Sequence, residues 1–293
     1  MGAGGARRPG AAAGGRTVST RRRRPTAIVV LFSFLGAVLL AFVLVPVMAL
    51  ILGTSPGSVA EAFDEGVVRW SLWLTLYAAL IATAIAFVLG VPLAYLLARR
   101  DFRGKALIEG LIDVPIVFPH TAAGVALLTV YGQDGILGRL LAPLGLTFTD
   151  SVPGIVVAMM FVSLPFLVDT AREAFALVDP RYEQVARTLG ASPGVAFLRT
   201  TLPMARRGVL AGVVMMWARG ISEFGAVVIL AYNPKIVPVL VYERFEGFGL
   251  DAAKPVAVII VLVALVVFVA LRAFLGPRRV RSARPGAGRR AEP

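Results

Sequence analysis

The segment EQVARTLGASPGVAFLRTTLP, Glu183 to Pro203, decides how the chain is to be read. It is polar and rich in helix formers from Glu183 to Leu189, and it lies between two apolar runs. Gly190 is placed to end a helix in a left-handed cap. Ser192, Pro193 and Gly194 make a turn signal. Val195 to Thr201 restart a helix that Pro203 ends or kinks. The expectation is a short helix, a bend and a second helix leading into the next apolar run.

Outward from this hairpin the chain is strongly apolar. Of its 293 residues 58% are hydrophobic and 16% charged, against roughly a quarter charged in soluble domains. Six apolar segments stand out: Ala27 to Leu52, Ser71 to Ala98, Ala106 to Tyr131, Ile155 to Val168, Gly208 to Ala231 and Pro255 to Leu275. The fourth extends through Leu177 as a helix leaving the membrane. Backbone groups in lipid must be bonded internally, so these segments are read as helices. The fold class is an all-α membrane protein with six transmembrane helices. The first run is too long for a signal-peptide core and has no small-residue cleavage site after it, so it is expected to stay as a span.

Charge sets the orientation. The stretch up to Thr26 holds seven arginines and no acid, and the stretch from Arg272 holds seven arginines and one acid. Loops 99–105 and 169–207 are also net positive, whereas 54–70 and 132–154 are net negative and 232–254 is neutral. The positive-inside rule therefore puts both termini and the Glu183–Pro203 hairpin in the cytoplasm. The two ends lack apolar periodicity and read as basic disordered tails, 1–26 and 276–293, suited to anionic lipid. The net charge of +13 is thus assigned to the membrane surface and not to nucleic acid. The absence of cysteine rules out disulfides and thiolate chemistry. A single histidine, His120, rules out a multi-histidine metal site within one chain. No cofactor is expected.

The hairpin also carries a spacing. Gln184, Val185 and Ala186 are followed by Gly190, then Thr200, then Leu202 and Pro203. This resembles the permease signature of ABC importers: Glu-Ala-Ala, three residues, Gly, nine residues, Ile, one residue, Leu-Pro. Gln184, Val185 and Thr200 depart from it, and Glu183 offers a carboxylate next to the first departure. Ser71 to Lys105 and Asp113 to Leu128 resemble the start of the permease core, so the likeness covers Ser71 to Leu271. The resemblance implies the type I ABC importer permease fold, with a core over 71–275 and a coupling loop over 183–203. The coupling residues it implies are Glu183, Gln184, Val185, Ala186, Gly190, Leu202 and Pro203. It also implies a cytoplasmic ABC ATPase subunit, an extracellular substrate-binding protein and a homodimer of permeases. The chain is not expected to be an enzyme itself: no G-x-x-x-x-G-K-[ST] occurs, and Gly104-Lys105 is followed by Ala106.

Arg219 and Glu223 are the charges expected at real membrane depth. Counted from Gly208 they lie roughly 16 and 22 Å along a helix. Ionisable residues there face a bundle interior or a watery cavity. Two readings stay open: an intrahelical i,i+4 pair that neutralises itself, or an anion route lined by Arg219 and Ser222 with Glu223 holding the guanidinium. Gly220 and Gly225 are expected to allow close helix approach across a subunit contact. Pro115, Pro119 and Gly124 predict a kinked or broken third span, with His120 as a satisfied donor beside it. Pro92 and Pro165 are read as kinks. Ile236 to Phe245 is expected to form a re-entrant or interfacial helix in the outer loop, with Tyr242 and Phe248 at headgroup level. Ile221 to Leu250 is similar to the same region of archaeal-type tungstate/molybdate permeases. Sulfate/thiosulfate permeases share the preceding pattern and form the alternative. A non-ABC channel or secondary transporter is the rival class; it would need no ATPase contact.

Overall fold

The computed structural model describes residues 26–275, together with Gly2. Apart from Gly2 and Thr26, the two basic tails lie outside the described residues. The chain divides into two compact units between Ala49 and Leu50. Helix α1 (Ala27–Leu52) carries the first unit; it is apolar on every side and has no charged residue. Its 26 residues span about 39 Å, more than the ~30 Å of a hydrocarbon core.

The second unit is also helical, with no strand among the described residues. Its helices are α2 (Pro56–Asp64), α3 (Gly66–Arg99), α4 (Lys105–Val117), α5 (His120–Tyr131), α6 (Ile136–Leu141), α7 (Val152–Ala176), α8 (Arg181–Thr188), α9 (Pro193–Ala196), α10 (Leu202–Ile221), α11 (Gly225–Leu230), α12 (Val237–Phe248) and α13 (Leu250–Leu275). Helix α7 is the hub, packed between α3 and α10. Lipid gives helices little hydrophobic reason to associate, so close packing of small side chains matters more. Ala78, Ala79, Ala82 and Ala86 of α3 and Ala158 and Ala171 of α7 are all buried. The buried hydroxyls of Thr83 and Ser163 bond back to carbonyls of their own helices, Thr83 to Ala79 at 2.7 Å. Thr75 bonds back to Ser71 and also accepts from the Val237 N–H at 2.9 Å, tying the start of α12 to α3. Val68, Ala62, Leu240 and Val256 close a separate apolar cluster where α2, α3, α12 and α13 meet.

Among the described residues four helices, α1, α3, α7 and α13, are long and apolar enough to cross a membrane, or up to five if the bent pair α4–α5 counts as one. Two of the six expected runs are interrupted. The third turns by 116° between Val117 and His120. Pro119 has no N–H to continue the ladder and disfavours a helical residue before it; Phe118 is accordingly extended (ψ 129°). The fifth was expected to run unbroken from Gly208 to Ala231, but it stops at Ile221 and restarts at Gly225. The cause is local: the Glu223 side chain accepts the Ala226 N–H at 2.9 Å, a cap bond in place of the backbone ladder. The helix expected over Ile236 to Phe245 is present as α12 and packs on α13.

Candidate functional site

The hairpin forms as its residues suggest, with one correction. Gly190 ends α8 with φ +91°, a left-handed conformation that favours glycine. Ser192 caps α9, its hydroxyl accepting the Val195 N–H at 3.4 Å, with Pro193 in the first turn. Pro203 does not end the following helix. The chain widens into a π turn over Phe197–Thr201 and passes into α10, where Pro203 occupies the first turn. The wider turn accommodates the missing N–H and the ring that would press on the carbonyl four residues back.

Beneath the hairpin, Glu183 is the anchor. It accepts from Tyr95 Oη at 2.7 Å, Arg99 Nε at 3.1 Å and Thr201 Oγ1 at 2.5 Å. Arg99 also donates to the Val178 carbonyl at 2.7 Å. Burial pushes the Glu183 carboxyl up, but the Thr201 and Tyr95 hydroxyls and the Arg99 guanidinium outweigh it and hold it below the usual carboxylate range. The rings of Tyr95, Phe175 and Phe197 pack together under it, with centroids 4.6 to 5.8 Å apart. Glu183 therefore faces its own chain, and the carboxylate it offers next to Gln184 is spent on Tyr95, Arg99 and Thr201. What faces outward mixes apolar and polar side chains: Val185 is 58% and Leu189 83% exposed, Tyr182 and Leu198 are exposed too, and so are Arg181, Arg187 and Thr188. Gln184 and Gly190 are exposed, Ala186 and Leu202 half-buried, and Pro203 exposed.

The second cluster forms where the two interrupted runs touch. Helix α5 packs against α11. A side chain on Gly225 would lie 2.6 Å from His120 Cβ, so only glycine permits this approach. Glu223, 1% exposed, sits at the junction. Its Oε2 lies 2.9 Å from His120 Nδ1 and 3.0 Å from Arg219 Nη2. Arg219 Nη2 also lies 3.0 Å from His120 Nε2, and Nη1 lies 3.3 Å from Ser222 Oγ. Glu223 thus has donors on both oxygens, as a buried carboxylate requires. Arg219, Ser222 and His120 keep accessible surface.

The Arg219–Glu223 pair exists, but not as a purely intrahelical one: Arg219 is in the last turn of α10 and Glu223 lies in the break after it. Gly220 and Gly225 do make close approaches, yet within the chain, to Ala79 and Ser163 and to His120. His120 was expected only as a satisfied donor; its meeting with Glu223, 103 residues away, leaves no local signal. The kink at Pro119 was the one pointer to it. The hairpin and the charged cluster are not brought together; they occupy opposite ends of α10. An open apolar groove of about 550 Å³ lies beside the cluster, lined by Ser222, Phe224, Tyr242, Phe245 and Ile260 among others.

Residues 90–281 match the family model described as the binding-protein-dependent transport system inner membrane component. The chain is 42% identical over 248 residues to a molybdate/tungstate transport system permease protein of Thermococcus kodakarensis, covering 84% of this chain and 95% of that protein. It is 42% identical over 231 residues to a probable molybdenum ABC transporter permease protein of Haloferax volcanii, covering 79% and 84%. A sulfate transport system permease protein of Synechococcus elongatus is 34% identical over 249 residues, covering 83% and 89%. Among solved structures, a chain of a bacterial alginate ABC transporter superposes with TM-score 0.67 at 15% identity, over 84% of this chain and 93% of that one. A chain of an inward-facing methionine ABC transporter superposes with TM-score 0.57 at 15% identity, over 72% and 97%. These last two carry the fold alone.

Proposed function

The chain belongs to the family of binding-protein-dependent transport system inner membrane components, and from that premise we propose that it moves an oxyanion inward, driven by ATP hydrolysed on a separate cytoplasmic subunit. Tungstate or molybdate is the first-ranked cargo. The relatives named for these oxyanions are more similar to it than the sulfate relative, 42% against 34% identity. Sulfate or thiosulfate is the second reading.

The observation that carries the proposal is the hairpin of α8 and α9. Its inner side is locked to α3 through Glu183, Tyr95 and Arg99, and its outer side offers Val185 and Leu189. Such a braced projection, with exposed apolar side chains set among arginines and Gln184, suits the docking of an ATPase subunit. The coupling role of Glu183, Gln184, Val185, Ala186, Gly190, Leu202 and Pro203 follows in this reading, with Glu183 as the internal anchor. Two ATPase subunits closing on ATP push the paired hairpins of a permease homodimer and shift each permease between inward- and outward-open packings. An extracellular binding protein delivers the cargo at the opposite face.

The membrane arrangement belongs to the same proposal. The bent pair α4–α5 forms one span, and α10 with α11 forms another in spite of Arg206, Arg207 and Arg219. Six spans then follow, with both termini cytoplasmic and the basic tails at 1–26 and 276–293 flanking a first span and a 71–275 core. Arg219 and Ser222 line the cargo route, and Glu223 holds the guanidinium. The test is uptake by vesicles containing the permease with its cognate ATPase, supplied outside with the loaded binding protein. ATP-dependent accumulation of labelled tungstate or molybdate is expected. Accumulation that persists without the ATPase subunit would instead favour a channel or secondary transporter.

A further inference from the structure

Helix α4, the first half of the bent pair, spells one short pattern twice. Leu107-Ile108-Glu109-Gly110 is followed directly by Leu111-Ile112-Asp113-Val114. The same seat, an isoleucine beside an acid, thus recurs about one helical turn further on. The surroundings repeat as well. Leu107 and Leu111 are both exposed, and Ile108 and Ile112 both pack on the buried cluster that holds Leu167, Val168 and Phe175 of α7. A single arginine faces the two acids. Arg172 of α7 donates to Glu109 Oε1 at 2.6 Å, and its Nη2 lies 3.5 Å from Asp169 on its own helix. The Asp113 carboxyl lies against that of Asp169, and its Oδ1 is buried with no donor among the described residues. A buried acceptor left in that state is costly.

We propose that α4 is a two-position latch on α7: a slide of one turn toward its own N-terminus exchanges Glu109 for Asp113 as the partner of Arg172. This rests on the reading that each permease shifts between two packings, and it names an element that moves in that shift. In the second position Ile112 takes the place of Ile108 and Asp113 that of Glu109, so the same kinds of contact form again. Four residues exceed a full turn by about 40°, so a small rotation accompanies the slide. One-turn steps of one element past another are a known form of two-state change. The ends of α4 suit it. Gly104, with φ +90°, stands at its start, and Phe118 and Pro119 break the chain after its end. Between the acids and that break, Pro115 has no N–H to bond the Leu111 carbonyl. Three residues drawn there from helix to extended chain lengthen by roughly 5 Å, close to one turn. Helix α5 can then stay where it is, fitted to α11 so closely that a side chain on Gly124 would lie 2.7 Å from Ile229 Cβ.

The chain has no cysteine, so Leu111→Cys and Leu144→Cys, both at exposed positions, take spin labels without competition. Leu144 lies in the segment that leads into α7. Helix α4 runs antiparallel to α7, Glu109 beside Arg172 and Asp113 beside Asp169, so the slide lengthens the distance between the labels. That distance is read by pulsed spin resonance in vesicles holding the permease with its ATPase, the labelled permease being diluted into unlabelled copies. Two distances about 5 Å apart are expected, in a ratio that changes with ATP. Glu109→Gln should favour the longer distance about tenfold and Asp113→Asn the shorter by a similar factor, the scale of one hydrogen bond between charged groups. Acids that merely hold α4 in place would not shift the ratio in opposite directions. A single distance in every background, shifts of the same sign, or no effect of Asp113→Asn would overturn the proposal; the last would mean that Asp113 and Asp169 share a proton. The distances are read independently of import. A complex that accumulates no oxyanion with ATP would end the transport reading, whereas a single distance in one that does would end the latch alone.

Discussion

Two glutamates, Glu183 under the hairpin and Glu223 at the helix breaks, use the same chemistry to different ends. Each accepts three donors, and each is paired with one arginine. Around Glu183 the arginine is itself enclosed: Arg99 is 9% exposed and also bonded to the Val178 carbonyl. Around Glu223 the partners stay accessible, Arg219 at 24% and His120 at 41%. The first carboxylate braces a surface made by other residues, and the second presents its own partners. Pairing a buried acid with a base does not by itself say which of these is happening; the exposure of the base does.

The largest effect should come from Glu223→Ala. It leaves Arg219 and His120 without their anchor and the Ala226 N–H uncapped, and cargo import should fall about a hundredfold at equal amounts of assembled complex. Import within twofold of wild type would break the comparison at its stronger end. Next, Glu183→Ala should lower the stimulation of ATP hydrolysis by loaded binding protein roughly ten- to thirtyfold and lower the melting temperature. Arg99→Ala should cost less when added to it than when made alone, since the two changes share the Arg99–Glu183 bond; full additivity would show that the brace is not a unit. Val185→Asp, on the outer side, should weaken capture of the ATPase subunit about tenfold while leaving the permease's own melting temperature in place. Equal loss of melting temperature would mean that this side chain supports the fold.

The smallest effect concerns pH. The folded Glu183 carboxyl is held below its ordinary 4.5. Its stabilising contribution is therefore fully present above 4.5 and is lost as pH falls through the lower folded value. Limited proteolysis of the hairpin should be constant down to about pH 4.5 and rise only below it. A rise already at pH 6 would point to a different titrating group.

Much of this was legible in the residues themselves. The hairpin was, because a glycine cap, a Ser-Pro-Gly turn and a Leu-Pro step act over a few residues. The break at Pro119 was, for the same reason. The break after Ile221 was not, because apolar residues continue through Val228 and Leu230 and only a side-chain cap interrupts the ladder. Nor were the partners of the two glutamates. Tyr95 lies 88 residues from Glu183 and His120 lies 103 from Glu223, distances at which only the packing of α3, α5, α7 and α10 decides who meets whom. The count of spans is less plain at α10, where Arg206, Arg207 and Arg219 interrupt the apolar run although α7 packs along it.

Helix α10 runs without interruption from Pro203 at the hairpin to Arg219 at the charged cluster, sixteen residues or about 24 Å. That makes it a lever with the π turn as its heel. A tilt of about 5° at the heel carries the far tip roughly 2 Å over such a length, enough to make or break a hydrogen bond. In the proposed coupling, such a lever would need no relay of intermediate contacts between its two ends.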